Sequence, residues 1–254
     1  MKITFLGTGT STGVPMIGCD CRVCLSKDPK NKRMRPSILI TVNHHNILVD
    51  TTPEFRLQAI ANGIRRVDAV LFTHSHADHM HGIDDLRIFS KTQEDPILCY
   101  GNSPTLARLR HAFDYIFSPG HYKGLLPNIK LESVEGPFSL FDQTIVPIQV
   151  MHGKTEVLGF RLGDFAYVTD CGHIPDKSMD LLVGVETLVL DALRWEPKHP
   201  AHLTIPEAID ISQRLQAKQT YFTHMMHLVE HHETNARLPD GIELAYDGLV
   251  LEVN

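Results

Sequence analysis

Short apolar runs recur along the chain, and their length favours buried or half-buried strands. These runs lie at residues 2–7, 37–42, 46–50, 69–73, 97–101, 145–151, 165–169, 187–191 and 220–223. Between them, apolar residues at helical spacing predict helices over 53–62, 83–89, 104–117 and 205–217. Strands that alternate with helices indicate an α/β fold built in layers.

The helical pattern at 205–217 is the clearest of the four. It begins with a capping box, Thr204 followed three residues later by Glu207. Its apolar stripe consists of Ile205, Ala208, Ile209, Ser212 and Leu215.

The chain contains no internal repeat, low-complexity segment or linker-like change in composition. We therefore predict a single domain over residues 1–254. The segment 118–127, which holds two glycines and two prolines, is predicted to be a surface loop that could cover a site.

Composition narrows the classes of protein. A chain of 254 residues with 43% hydrophobic and 21% charged residues can bury a sizeable core. Its 24 Lys and Arg against 30 Asp and Glu give a net charge of −6, which argues against nucleic acid as a partner. No run approaches the roughly 20 apolar residues of a membrane span, and the opening residues resemble a strand more than a signal peptide. We expect a cytoplasmic protein without membrane association.

Histidine and cysteine point to metal chemistry. Sixteen histidines are present, many of them clustered. Three of the five cysteines, Cys19, Cys21 and Cys24, lie within six positions, which is too tight for a disulfide framework. This spacing predicts a metal site, and a buried apolar cluster of thiols is the alternative.

Four apolar strands run into a residue that can bind a metal: His74, His152, Asp170 and His224. In an open α/β sheet, ligands gather at the carboxyl ends of the strands. We therefore expect these four side chains to converge although they are far apart in the sequence.

The first of them opens the string HSHADH at residues 74–79. After a strand, His74 and His76 can face one side, whereas Asp78 and His79 begin the next helix and face another. Adding His152 gives the first ion three imidazoles. Adding His224 to Asp78 and His79 completes the second ion, and Asp170 is free to bridge. Imidazole with carboxylate suits Zn, Mn or Fe. The alternative interpretation of the string is a polar turn at the start of a helix, capped by Asp78, and it would be favoured for one histidine alone.

These residues resemble the metallo-β-lactamase superfamily, in which HxHxDH follows a strand and is succeeded by a distant His, Asp and His. The resemblance extends from the first strand to His224. It implies a four-layer αβ/βα sandwich with a two-metal site at one edge. It also implies that Asp50 is the acidic residue just outside the metal ligands. Such a metal pair lowers the pKa of a bridging water to about 7, which implies hydrolysis.

The string GTGTSTGVP after the first strand resembles the phosphodiesterase branch of this superfamily, although alone it could be a plain hairpin turn. The branch includes transfer-RNA 3′-processing enzymes and the phosphoribosyl cyclic phosphate phosphodiesterases of the carbon–phosphorus lyase pathway, which are the closer likeness. The latter carry a similarly spaced cysteine cluster. This likeness implies that His227 completes a structural zinc site with Cys19, Cys21 and Cys24.

The same branch has a catalytic histidine just before a helix. The likeness therefore gives that role to His202, and not to His199, while Asp78 is the second expected catalytic residue. The chain departs from the branch after the strand at 187–191, where it has Leu193, Arg194 and Trp195. Arg194 could contact a substrate phosphate or only Glu196.

The resulting hypothesis is a phosphodiesterase with two Mn or Zn ions that cleaves a small, cyclic ribose phosphate or a nucleotide. A homodimer is compatible with it. Two alternatives keep the metals: a thioesterase or lactonase, and a transfer-RNA 3′-processing nuclease, which would need a basic RNA-holding arm that the chain lacks. A zinc-dependent binding module without activity would leave the HSHADH set unused.

Overall fold

The centre of the fold is a pair of β-sheets in the computed structural model, which describes residues 1–118 and 125–253. In chain order the strands are β1 (Lys2–Gly7), β2 (Ser37–Val42), β3 (His45–Val49), β4 (Ala69–Leu71), β5 (Ile97–Gly101), β6 (Ile129–Ser133), β7 (Phe138–Leu140), β8 (Gln143–His152), β9 (Thr155–Leu162), β10 (Phe165–Val168), β11 (Thr187–Asp191), β12 (Gln219–Thr223), β13 (Ile242–Leu244) and β14 (Val250–Glu252). One sheet has the order β14-β1-β2-β3-β4-β5-β6, and the other β13-β12-β11-β10-β9-β8-β7. Both sheets mix parallel and antiparallel pairs.

Helices flank the sheets. They are α1 (Phe55–Ala61), α2 (Ala77–Met80), α3 (Ser103–Ala112), α4 (Asp114–Phe117), α5 (Asp176–Leu182), α6 (Ile205–Leu215) and α7 (His231–Asn235), with 3-10 helices at Pro29–Asn31 and Ile83–Lys91. Within the described residues, no helix is long and apolar enough to span a membrane. Most of the predicted covering loop, residues 119–124, lies outside the described part of the chain.

Three buried clusters show that the layers are stacked as helix, sheet, sheet and helix. One cluster joins inner faces of both sheets, with Phe5 and Phe160 among its fully buried members. A second packs α5 and α6 against the outer face of one sheet, and a third packs α1, the 3-10 helix Ile83–Lys91 and α3 against the other. The expected four-layer αβ/βα sandwich is therefore confirmed.

The helices differ in detail from their predictions. The pattern at 104–117 forms two helices, because Phe113 leaves the helical region with φ −123° and ψ 44°. The pattern at 83–89 forms a 3-10 helix. The capping box of Thr204 and Glu207 is present, but the buried face of α6 includes Ile211, whereas Ile209 is only partly buried.

Strand register sets the place of the site. In the second sheet, β10, β11 and β12 run parallel, with Val168 opposite Leu190, and Asp191 opposite Thr223. Polar residues that follow these strands must therefore lie side by side at one edge. In the first sheet, the parallel pair β3 and β4 likewise brings the ends of both strands together.

Candidate metal centre

The HSHADH string divides its side chains between two groups. It follows β4, and its second half forms the start of the short helix α2. The rings of His74 and His76 lie beside that of His152, with centroids 5.5 and 5.1 Å from it. The ligand atoms of these three residues all lie within 4.8 Å of one another. The structure thus brings together the three imidazoles predicted for one ion.

The second group is buried and contains two carboxylates. Asp78, His79, Asp170 and His224 place their ligand atoms within 4.8 Å of one another. The His79 Nε2 atom is 3.3 Å from a carboxylate oxygen of Asp78. These are the four residues predicted for the other ion.

Asp170 touches both groups. Its Oδ2 atom lies 3.1 Å from His79 Nε2, and its Oδ1 atom lies 3.2 Å from His224 Nε2. Oδ1 is also 4.0 Å from His74 Nε2, in the first group. This position between the groups is what a bridging ligand requires.

The buried ring nitrogens fit divalent cations. Among the described residues, the Nε2 atoms of His74, His79 and His224 have no hydrogen-bond partner, although oxygens lie near them. A buried polar atom without a partner is costly, so such atoms call for a missing ligand. Imidazole nitrogens and carboxylate oxygens together suit zinc or manganese.

The electrostatics of the site point the same way. Burial alone would lower the pKa of His224, but the carboxylate of Asp170 outweighs it and raises that pKa to about 9. Burial opposes the charge of His79 as well, yet Asp170 and Asp50 raise its pKa well above the ordinary value. The carboxylates therefore demand positive charge, which divalent ions would supply.

Asp50 orients one of the histidines. Its Oδ2 atom lies 2.7 Å from His79 Nδ1. Because a carboxylate accepts hydrogen bonds, Nδ1 carries the hydrogen and the lone pair is left on Nε2, toward Asp170. The backbone N–H and hydroxyl of Thr73 also donate to Asp50, each at 2.8 Å. Asp50 thus lies just outside the two ligand groups, in contact with His79.

Strained backbone is concentrated at these strand ends. Asp50, Asp170 and His224 have φ values of 63°, 53° and 61°, in the left-handed region that favours glycine. This conformation costs roughly 1 to 2 kcal/mol per residue. Such strain is found most often where geometry serves function, and here it accompanies three of the side chains that meet at the site.

His202 lies beside both groups. Its ring centroid is 4.6 Å from that of His152 and 4.5 Å from that of His224. Its Nδ1 atom is 2.7 Å from the carboxylate of Asp191, which also accepts the backbone N–H of Cys171. Nδ1 therefore carries the hydrogen, and Nε2 is free to face a substrate.

Sequence reasoning did not assign a role to Asp191. The sequence signal that could have found it is the one that marked Asp170, an acidic residue at the end of an apolar strand.

Gly172 packs closely against the loop that carries His202, because a Cβ there would lie 2.8 Å from the backbone of Ala201. The Ala201 carbonyl in turn accepts a hydrogen bond from His152 Nδ1 at 2.9 Å.

Arg194 is held by its own loop and by the segment after β12. Its Nε atom donates to the carbonyl of Pro197 at 2.8 Å, and an Nη1 atom contacts the sulfur of Met226. These contacts involve neither Glu196 nor the ligand groups.

A separate cluster joins the cysteines to the segment after β12. The Nδ1 atom of His227 lies 3.2 Å from Cys19 Sγ and 3.4 Å from Cys21 Sγ, and Cys24 completes the group within 4.8 Å. The backbone N–H of Met225 donates to the Thr8 carbonyl, and the backbone N–H of Thr10 donates to the Met225 carbonyl. His227, the histidine of this cluster, is only three residues after His224 in the sequence.

The cysteine thiols differ in acidity. The backbone N–H of Cys24 donates to Cys21, and this bond lowers the pKa of the Cys21 thiol to about 6. Burial raises the pKa of Cys24 to about 11. Three sulfurs and one imidazole at these separations fit a tetrahedral zinc site.

Comparison with known proteins identifies the family. A profile of the β-lactamase superfamily domain matches residues 45–225, which include the HSHADH string, His152, Asp170 and His224. The chain belongs to the metallo-β-lactamase superfamily. It is a hydrolase of that superfamily, whose fold implies divalent metal ions.

Relatives of this superfamily member carry different names. A crystal structure described as a new diphosphatase from the PhnP family is 44% identical, with a TM-score of 0.93, and the match covers 100% of this chain and 98% of that one. A ribonuclease Z of Borrelia recurrentis is 24% identical over 89% of this chain and 93% of its own. An octanoyltransferase of Porphyromonas gingivalis is 38% identical over 98% of this chain, which spans only 51% of that protein's length.

Replacing Cys21 with Ser in this metallo-β-lactamase superfamily member is expected to remove one equivalent of zinc. The melting temperature should fall by several degrees, because the loop then loses its attachment. Metal analysis and thermal unfolding provide the measurement. The matched control is Cys99→Ser at a buried thiol outside the cluster, which should lower stability without changing zinc content. An unchanged zinc content in Cys21→Ser would rule out this site.

Proposed function

We propose that the chain is a two-metal phosphodiesterase that acts on a small substrate. One ion is held by His74, His76, His152 and Asp170. The other is held by Asp78, His79, His224 and Asp170. The observation that carries this proposal is the position of Asp170, whose two oxygens lie within 3.1 to 4.0 Å of histidines from both groups.

We assign manganese or zinc to the two positions and a third ion, zinc, to Cys19, Cys21, Cys24 and His227. Bound ions at the first two positions would supply Lewis acidity toward phosphate oxygens and lower the pKa of water. In the cysteine site, protein residues supply all four ligands, so a zinc ion there would have no open position for substrate or water and no part in the reaction. It anchors the segment that carries His224.

The chain's own residues complete the chemistry. His202, oriented by Asp191 through the 2.7 Å contact and protonated on both ring nitrogens, delivers the proton on Nε2 to the leaving oxygen. Asp50 keeps the ring of His79 turned so that Nε2 faces the site. Asp78 orients the attacking water through a carboxylate oxygen.

The relatives support hydrolysis at phosphorus over the other reactions of this superfamily. The PhnP-family protein that is 44% identical is named a diphosphatase, which favours a small diphosphate or cyclic phosphodiester as the substrate. The ribonuclease Z relatives also support hydrolysis at phosphorus, there at a phosphodiester bond of RNA. The net charge of −6 favours the small molecule. A cytoplasmic location and a homodimer stay predictions.

A second candidate is hydrolysis of an acyl ester or thioester. It is favoured by the 38% identity to a protein named octanoyltransferase, since an octanoyl group is an acyl chain. The same two metals could serve either reaction, so substrate preference decides between them.

Removal of metal by a chelator is expected to abolish hydrolysis of bis-p-nitrophenyl phosphate, and Mn or Zn should restore it. The metal-restored protein is then assayed on a small diphosphate diester, a cyclic ribose phosphate, a transfer-RNA precursor and octanoyl thioesters. We expect the small phosphate esters to have the highest kcat/KM. Faster thioester hydrolysis would favour the acyl candidate, and activity that survives complete metal removal would contradict both.

A further inference from the structure

His199 lies outside the two ligand groups but next to His202. It belongs to the loop between β11 and α6, and its ring centroid is 5.1 Å from that of His202 at an angle of 40°. Within the described residues, its ring makes no ring contact with the proposed metal ligands.

The hydrogen on the His199 ring can be placed. The backbone N–H of Ala201 donates to its Nδ1 atom at 3.2 Å, so Nδ1 holds a lone pair. The hydrogen of the neutral ring is then on Nε2, and His199 presents a hydrogen-bond donor. The side chain is partly exposed, so a substrate can reach it.

Other cationic side chains of this loop are engaged elsewhere. Arg194 donates to the Pro197 carbonyl at 2.8 Å, and Lys198 pairs with Glu207 at 2.5 Å. His199 Nε2 is thus a donor of the described loop that lies beside His202 and can reach an anion there.

We propose that His199 is a substrate-positioning residue that donates from Nε2 to an oxygen of the leaving phosphate in a diphosphate substrate. The inference rests on the proposed function and specifies its substrate class. Two imidazoles with ring centres 5.1 Å apart can reach two oxygens of a single phosphate group, since each N–H···O bond adds about 2.9 Å. A leaving group without such an oxygen gains nothing from His199.

The reaction balances without a further reactant. Oxygen from water bonds to the attacked phosphorus, and the bond from that phosphorus to the bridging oxygen breaks. The bridging oxygen leaves on the second phosphate with the proton from His202, while His199 donates a hydrogen bond to that phosphate and transfers no proton. The attacking water releases one proton, which returns to Nε2 of His202 and restores its starting protonation state.

The test compares His199→Ala and His199→Gln with the wild-type protein on a diphosphate diester and on bis-p-nitrophenyl phosphate. For the diphosphate, His199→Ala should lower kcat/KM about 10- to 100-fold, mainly through KM, which corresponds to one hydrogen bond to a charged group. Activity on bis-p-nitrophenyl phosphate should stay within about twofold, and Gln, which keeps a donor, should recover part of the loss. Lys198→Ala is the matched control and should behave as wild type on both.

Binding gives a second readout. Methylene diphosphonate, which cannot be hydrolysed, should bind His199→Ala about tenfold or more weakly in calorimetry. Equal losses on both substrates, or no loss on the diphosphate, would overturn the inference alone. A wild-type protein that cleaves bis-p-nitrophenyl phosphate but no diphosphate would also overturn it alone. A wild-type protein that cleaves neither would overturn the proposed function with it.

Discussion

Replacing Asp170 with Ala is expected to remove both active-site metals and lower kcat/KM by about 10³-fold or more, since two ions supply several kcal/mol of transition-state stabilisation. The reason is the position of Asp170, which touches His79 and His224 at 3.1 and 3.2 Å and approaches His74. Removal of a residue that only supports a ligand costs about 10- to 100-fold in metal affinity. Loss of the shared carboxylate should cost more.

The matched control is Asp164→Ala, in the exposed turn just before β10. It should keep both ions, full activity and the wild-type circular dichroism spectrum. Metal analysis of both variants after gel filtration provides the measurement. An Asp170→Ala protein that is folded and still holds two active-site ions would contradict the bridging role.

Replacing His202 with Ala is expected to lower kcat by about 10²- to 10⁴-fold, the usual contribution of general acid catalysis, while both metals stay bound. The substrate supplies an internal control. An activated leaving group such as p-nitrophenolate hardly needs a proton. The fall in kcat should therefore be much smaller on a substrate with this leaving group than on a phosphodiester with an alkoxide leaving group.

Other outcomes assign His202 differently. Equal losses on the two substrates would mean that His202 stabilises charge on the phosphoryl oxygens. A full rate on both would contradict any catalytic role. His111→Ala, an exposed histidine on α3, should leave the rates unchanged and serves as the matched control.

Much of the sheet could be predicted from the sequence, because buried strands are continuous apolar runs. The predicted runs at 2–7, 37–42, 97–101 and 187–191 coincide with β1, β2, β5 and β11. Two of the strands that were not predicted, β6 and β14, carry weaker patterns. In β6 none of the residues is fully buried, and β14 consists of three exposed or half-buried residues that pair with β1 far away in the sequence.

The grouping of the candidate ligands could also be predicted from the sequence, because each of the four follows a strand: His74, His152, Asp170 and His224. Parallel register then places the last two near each other. Contacts that depend on loop conformation were not predictable. The pairing of His202 with Asp191 and the left-handed backbone of Asp50, Asp170 and His224 depend on how the loops pack.

The most direct test is anomalous diffraction from crystals of the metal-loaded protein, collected at the manganese and zinc absorption edges. We predict two peaks on either side of Asp170, separated by about 3.5 to 4 Å, and a third, zinc, peak among Cys19, Cys21, Cys24 and His227. A single peak near Asp170, or none, would contradict the two-metal centre.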